Sequence, residues 1–237
     1  MRPLRIAALA ALVAAMLATG ACGGGSSPTE GGGTTATAPP ATTTVTGAEG
    51  CRTDPPEPPP DPGSYPSGPR RVIAPGRHYT ATLDTSCGTI VIALDQAEAP
   101  RAVNSFVFLA RRHFFDGLTF HRVVPGFIIQ GGDPQGDGFG GPGYVFEDEL
   151  PAGGGYPDGS VAMANAGPDT NGSQFFIVVG NGAALAVAYT RFGRVTRGLD
   201  VARRIASLAK PGADPTDTAS QVPVQPVYIY RVTISGS

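Results

Sequence analysis

Hydrophobic and polar positions fall into short, regular patterns from about residue 71 onward. Tyr79, Ala81 and Leu83 alternate with Thr80, Thr82 and Asp84, which predicts a half-buried strand. Thr85-Ser86-Cys87-Gly88 reads as a turn, and the apolar run 89–94 as a second, more buried strand closing a hairpin. Pro100 sits where a helix tolerates proline, in the first turn. Val103, Phe106, Val107 and Ala110 then carry the i, i+3, i+4, i+7 spacing of a buried helical face. Further short strands are expected at 120–124, 127–130, 160–164, 174–179, 192–195 and 227–234, most of them separated by Gly-rich loops. Val201, Ile205 and Leu208 share one face of a second helix at 199–208. Eight strands and two helices with Gly/Pro turns make residues 71–237 one mainly β domain, a sandwich or a barrel.

The N-terminal third follows other rules. Arg2 and Arg5 precede an apolar stretch at 6–18 that is short for a bilayer span, and Thr19-Gly20-Ala21 supplies small residues before Cys22. This predicts a secretory signal peptide over residues 1–21. Cys22 followed by Gly23-Gly24-Gly25-Ser26-Ser27 resembles a bacterial lipoprotein signal, although Thr19 stands where such signals usually carry Leu. The resemblance implies diacylation of Cys22 and an extracytoplasmic protein anchored to the cell membrane; ordinary cleavage to a secreted protein is the alternative. Residues 22–70 contain 34 Gly, Pro, Thr and Ser among 49, with Val45 and Tyr65 the only large apolar side chains. So little apolar surface does not offset the entropy of ordering, which predicts a disordered tether with a stiff Pro-rich part at 55–62. With Cys22 lipidated, Cys51 and Cys87 are the remaining thiols, and outside the cytoplasm such a pair tends to oxidise. A Cys51–Cys87 disulfide is expected, with two free thiols as the alternative.

Charge narrows the function classes. Charged residues are only 15% of the chain, and the 17 basic residues form no block, so nucleic-acid binding is not expected. No large apolar surface patch is evident in the sequence, so a monomer is expected. Gly136-Asp137-Gly138-Phe139-Gly140-Gly141 fits a dinucleotide-binding glycine pattern, but Pro142-Gly143 follows where a helix should begin. His78, His113 and His121 lack metal-ligand spacing and read as structural, and no metal or cofactor is expected. Asp133, Asp137, Glu147, Asp148 and Glu149 read as solvated loop charges, and Asn171-Gly172-Ser173 as an unused glycosylation sequon.

Three segments concentrate unusual chemistry: 120–133 (FHRVVPGFIIQGGD), 160–166 (SVAMANA) and 171–177 (NGSQFFI). They place one permanent cation, Arg122, beside amides and aromatic side chains on successive strands. If Arg122 overlooks a pocket lined by Phe127, Ile128 and Phe176, the result is an apolar slot with a guanidinium at its rim. Such a slot suits a proline ring with its amide beside it. Ordinary core packing explains any one of the aromatics, but a buried Arg needs partners.

These segments, in this order, resemble the cyclophilin family of peptidyl-prolyl cis-trans isomerases. Residues 98–106 (EAPRAVNSF) match the family's first helix, and Gly141-Pro142-Gly143-Tyr144 with Glu147-Asp148-Glu149 is similar to its short-loop bacterial branch. The likeness covers about residues 78–234. It implies a closed eight-stranded antiparallel β-barrel capped by two α-helices. It also implies a catalytic Arg122 held by Gln130, and a proline pocket of Phe127, Ile128, Phe176 and Leu185. Ala164, Asn165, Ala166 and Gln174 would contact the peptide. The register from Ile177 to Phe192 places Ala184 where many members carry Trp, and Tyr189 where many carry His, which implies a more open pocket and weak cyclosporin binding. The implied partners are proline-containing peptides and unfolded exported proteins.

Overall fold

The computed structural model describes residues 47–57, 61–213 and 217–236. The expected signal peptide, Cys22 and the first part of the tether lie outside the described residues. Eight strands and two helices follow one another as β1 (Tyr79–Thr85), β2 (Gly88–Leu94), α1 (Pro100–Ala110), β3 (Arg122–Val124), β4 (Ile128–Gly131), β5 (Ser160–Met163), β6 (Phe175–Val178), β7 (Arg191–Arg197), α2 (Leu199–Ser207) and β8 (Ile229–Gly236). All pairings are antiparallel, in the order β3-β4-β6-β5-β7-β2-β1-β8.

This sheet is not the closed barrel that the resemblance implies, because β3 and β8 are its two edges. The edges meet just before β3, where Thr119 bridges Tyr228, the Phe120 N–H donates to the Val227 carbonyl at 2.9 Å, and Ile229 of β8 pairs with Gly117 and Leu118. Within three-residue β3, the Val123 N–H donates instead to the carbonyl of Gln221, 2.8 Å away in the loop before β8. That loop occupies the place a closing ladder would need.

Alternation along β4, β5 and β6 sends side chains to two different apolar clusters. Ile129, Val161, Met163, Phe175 and Ile177 enter the main core, where Phe106 of α1 stacks on Phe115 at 4.8 Å and meets Phe175 edge-on at 5.5 Å. Ile128, Ala162, Phe176 and Val178 point the other way, into a second cluster with Tyr156. Antiparallel sheets commonly leave that outer face polar. An apolar outer face here means that these strands are built to be covered on both sides.

Two details position the functional elements. Val124-Pro125-Gly126-Phe127 is a tight turn closed by the Phe127 N–H on the Val124 carbonyl at 3.0 Å, with Gly126 at φ 68° where a side chain would be strained. Helix α1 starts after Ala99, which has no capping oxygen, so the Glu149 carboxylate accepts from the Arg101 and Ala102 N–H groups at 3.0 Å. Glu149 is thus a cap rather than a solvated charge. Asp133 is likewise not solvated: it is 1% exposed and accepts the N–H groups of Gln135 and Gly138.

The composition assigns residues 22–70 to a free tether, yet residues 47–57 and 61–70 lie against the domain. Cys51 is fully buried and joined to Cys87 in the β1–β2 turn. The Arg52 guanidinium sits 4.0 Å over the Tyr230 ring. Tyr65 meets Phe108 of α1 edge-on at 5.4 Å, and Asn104 of α1 accepts from the Val72 N–H at 2.7 Å and donates to the Arg70 carbonyl at 3.1 Å. A disulfide, one aromatic ring and backbone hydrogen bonds hold this strap without the apolar content that a sequence pattern detects.

Candidate active site

Register sets the first contact of the site. Arg122 on β3 lies opposite Gln130 on β4, and the guanidinium Nη1 donates to Gln130 Oε1 at 3.1 Å. From the other side, Arg122 Nε donates to Gln221 Oε1 at 2.6 Å. Gln130 Nε2 then donates to Gln174 Oε1 at 2.9 Å, and Gln174 Nε2 donates to the Gly138 and Gly140 carbonyls at 2.9 Å each. Each amide gives with its nitrogen and takes with its oxygen, so the whole series has one orientation. Its end point on two backbone carbonyls is fixed.

The acceptors on Arg122 are neutral amides, so they fix the guanidinium without cancelling its charge. Among the described residues Arg122 forms no ion pair. Burial pulls its pKa below the usual arginine value, while nearby Tyr189 opposes that. An arginine remains cationic at neutral pH even so. Two of its five N–H donors are occupied, and others remain for a ligand.

Beside the guanidinium is a cavity of about 600 Å³. Phe127, Ile128, Phe176, Leu185 and Tyr189 line it together with Arg122, Gln130, Ala164 and Asn165. Tyr189 meets Phe176 edge-on at 5.3 Å. Tyr189 is itself held through the buried Tyr156, whose hydroxyl donates to the Tyr189 carbonyl at 2.8 Å and accepts from its N–H at 2.9 Å. Burial pushes the Tyr156 pKa up, which keeps that donor protonated. The backbone N–H and C=O of Asn165 have no hydrogen-bond partner among the described residues, while its side chain donates to the Ala188 carbonyl at 2.9 Å. Ala166 and Gln174 line a second cavity of about 730 Å³, which shares Gln130, Gly138, Phe139, Ala164 and Asn165 with the first.

The structure therefore gathers every residue that the sequence proposes for the peptide site around these two adjoining cavities. Ala184 is not among them: it lies exposed in a turn at Gly182–Ala184, and Leu185 and Tyr189 form the wall there. Gln221 carries no sequence signal, because 99 residues separate it from Arg122. Phe139, 91% exposed at the rim of both cavities, is hidden in a glycine-rich loop. His121 lines the first cavity, and burial lowers its pKa, so it is neutral at pH 7. The pairing of Asn171 with the Phe146 carbonyl and Asp148 buries the sequon asparagine. Among the described residues no His, Cys, Asp or Glu cluster could hold a metal ion.

Comparison with known proteins bears on this geometry. Residues 80–234 match the family model described as cyclophilin-type peptidyl-prolyl cis-trans isomerase. Peptidyl-prolyl cis-trans isomerase A of Mycobacterium tuberculosis is 44% identical over 177 residues, 66% of this chain and 92% of that protein. Peptidyl-prolyl cis-trans isomerase-like 1 of Homo sapiens is 42% identical over 154 residues, 61% of this chain and 90% of that protein. The crystal structure of a cyclophilin-type isomerase from Cryptosporidium parvum, determined in the presence of the dipeptide Ala-Pro, superposes with a TM-score of 0.59 at 31% identity, covering 66% of this chain and 98% of that one. The fixed arginine, the apolar slot and these likenesses agree, and the chain belongs to the cyclophilin-type peptidyl-prolyl cis-trans isomerase family.

Proposed function

We propose that the chain isomerises X–Pro peptide bonds and that Arg122 supplies the differential binding. A planar amide has a rotation barrier of about 18–20 kcal/mol because its nitrogen lone pair is delocalised. Rotation returns that lone pair to the prolyl nitrogen. A donor aimed at the nitrogen therefore binds the twisted amide more strongly than the planar one, which is the condition for catalysis. The observation that carries this reading is the guanidinium held from two sides by neutral amides at the rim of the slot. The pyrrolidine ring occupies the apolar slot of Phe127, Ile128, Phe176, Leu185 and Tyr189. The free backbone groups of Asn165 pair with the peptide chain. No bond to the protein forms and no proton is transferred. Lowering the barrier by about 7 kcal/mol corresponds to roughly 10⁵-fold acceleration, and fixed charge in a dry site is a large source of such stabilisation.

The clients are unfolded exported proteins, and the enzyme works at the outer face of the membrane through lipidated Cys22. The Arg2–Cys22 signal pattern and the Cys51–Cys87 disulfide, a bond of oxidising compartments, support this placement. A non-catalytic proline-peptide-binding or chaperone module on the same fold is the alternative. Exchange NMR on a proline peptide separates the two: catalysis broadens or exchanges the cis and trans signals, whereas binding alone leaves the exchange rate unchanged. For the anchor, Cys22→Ser should release the protein from membranes and abolish incorporation of labelled fatty acid. Membrane retention of that variant would refute the lipid anchor.

A further inference from the structure

The second cavity has a wall that the glycine-rich loop after β4 does not hold up by itself. Residues 136–143 include Gly136, Gly138, Gly140, Gly141 and Gly143. Its first part is tied down from inside the domain, by the Asp133 carboxylate on the Gly138 N–H and by Gln174 on the Gly138 and Gly140 carbonyls. Beyond Gly140 the supports change. The Tyr65 N–H donates to the Pro142 carbonyl at 2.7 Å. Ser64 lies directly over Gly143, where a Cβ would collide with the Ser64 hydroxyl. The Tyr144 hydroxyl shares a 2.7 Å hydrogen bond with Ser105 of α1. Burial pushes the Tyr144 pKa up to about 12, so that hydroxyl stays protonated.

Tyr65 is itself fixed. Tyr65 lies edge-on to Phe108 and 5.8 Å from the Arg112 guanidinium, and Asn104 grips the strap a few residues later at Arg70 and Val72. This strap is outside residues 80–234, the part of the chain that matches the family. Gly141, Pro142, Gly143 and Tyr144, the residues it touches or backs, all line the second cavity.

We infer that residues 61–73 are a brace that fixes the Gly141–Val145 wall of the second cavity and thereby sets how tightly the enzyme holds residues flanking the proline. The inference rests on the isomerase reading for its consequence but not for its geometry. A loop ordered before binding loses less entropy when a peptide arrives, so removing the brace weakens contacts made by the flanking residues. The proline slot, built on β3, β4 and β6, keeps its own supports.

The test uses the full chain and two unlabelled peptides, one with a single residue on each side of proline and one with three. Tyr65→Ala should raise the KM for the longer peptide about fivefold to tenfold and leave the shorter one within about twofold, with kcat little changed. Hydrogen exchange on the wild type provides a readout independent of the variant. The Tyr65 amide should be strongly protected, and Tyr65→Ala should speed exchange at the Gly141, Gly143 and Val145 amides. An unprotected Tyr65 amide in the wild type, or equal effects of Tyr65→Ala on both peptides, would overturn the brace. Wild type that turns over neither peptide would instead overturn the isomerase reading, while the exchange measurement would still decide on the brace.

Discussion

Gln221 offers a demanding trial of the arginine's geometry, because it reaches Arg122 from the loop before β8, 99 residues away in sequence. Its side-chain oxygen lies 2.6 Å from Arg122 Nε, and the residue is only 2% exposed. Gln221→Leu keeps approximately the same volume and leaves the backbone bond from the Val123 N–H to the residue 221 carbonyl in place. The hydrogen bond to the charged Arg122 is lost, and a bond of that kind is worth about 1.5–3 kcal/mol when well buried. The guanidinium is only half-buried, and water recovers part of that, so a net loss of about 1–2 kcal/mol is expected, or roughly 5–30-fold in kcat/KM. The loss should fall mainly on kcat, because the apolar slot that binds the proline ring is untouched. Exchange NMR on a proline peptide gives the rate. The Arg122 Nε–H signal gives a second readout, sharp and slowly exchanging in the wild type and fast in the variant. An unchanged rate together with a lost Nε–H signal would show that orientation of the guanidinium does not control turnover.

Other parts of the structure make separate predictions. Tyr189→Ala removes a slot wall and the edge-on partner of Phe176, so it should raise KM about threefold to tenfold, given roughly 1.5–3 kcal/mol for a fully buried large apolar side chain and about half that for this half-buried one; titration of a proline peptide measures it. Cys51→Ser or Cys87→Ser opens a cross-link spanning 36 residues and should cost about 2–4 kcal/mol of stability, read as a lower denaturation midpoint that reductant reproduces in the wild type. His121 has a lowered pKa because of burial, so the unfolded chain binds its proton first as pH falls. Its contribution is complete above about pH 6.5 and is lost on acidification toward the folded pKa; His121→Gln should flatten that part of the stability profile. Over the neutral range the turnover rate should stay level, since Arg122 keeps its charge and His121 is already neutral.

Local patterns made most of the fold legible. Alternation at 79–84, the apolar run at 89–94 and the spacing of Val103, Phe106, Val107 and Ala110 correspond to β1, β2 and α1. The strands at 127–130 and 174–179 were also expected, and their alternate side chains divide between the main core and the slot. Arg122, Gln130 and Gln174 could be read because two adjacent strands and a neighbouring turn present them within short motifs. Three features escaped for different reasons. Gln221 reaches Arg122 across a long sequence separation, which no periodicity encodes. The Cys51–Cys87 disulfide was legible, but the strap beyond it is held by Tyr65 and main-chain groups in a composition that otherwise resembles a free tether. The opening between β3 and β8 depends on where the Val123 N–H donates, a backbone choice invisible in side-chain identity.

The proposed mechanism requires a fixed, unneutralised guanidinium to bind the twisted amide better than the planar one. Arg122→Ala isolates that requirement when turnover and affinity are measured on the same proline peptide. Removing one preorganised donor typically costs about 10²–10³ in kcat. The predicted result is a fall of that size in the catalysed exchange rate, with peptide affinity within a few-fold of wild type and an unchanged melting profile. An Arg122→Ala enzyme that isomerises within about threefold of wild type would contradict the claim.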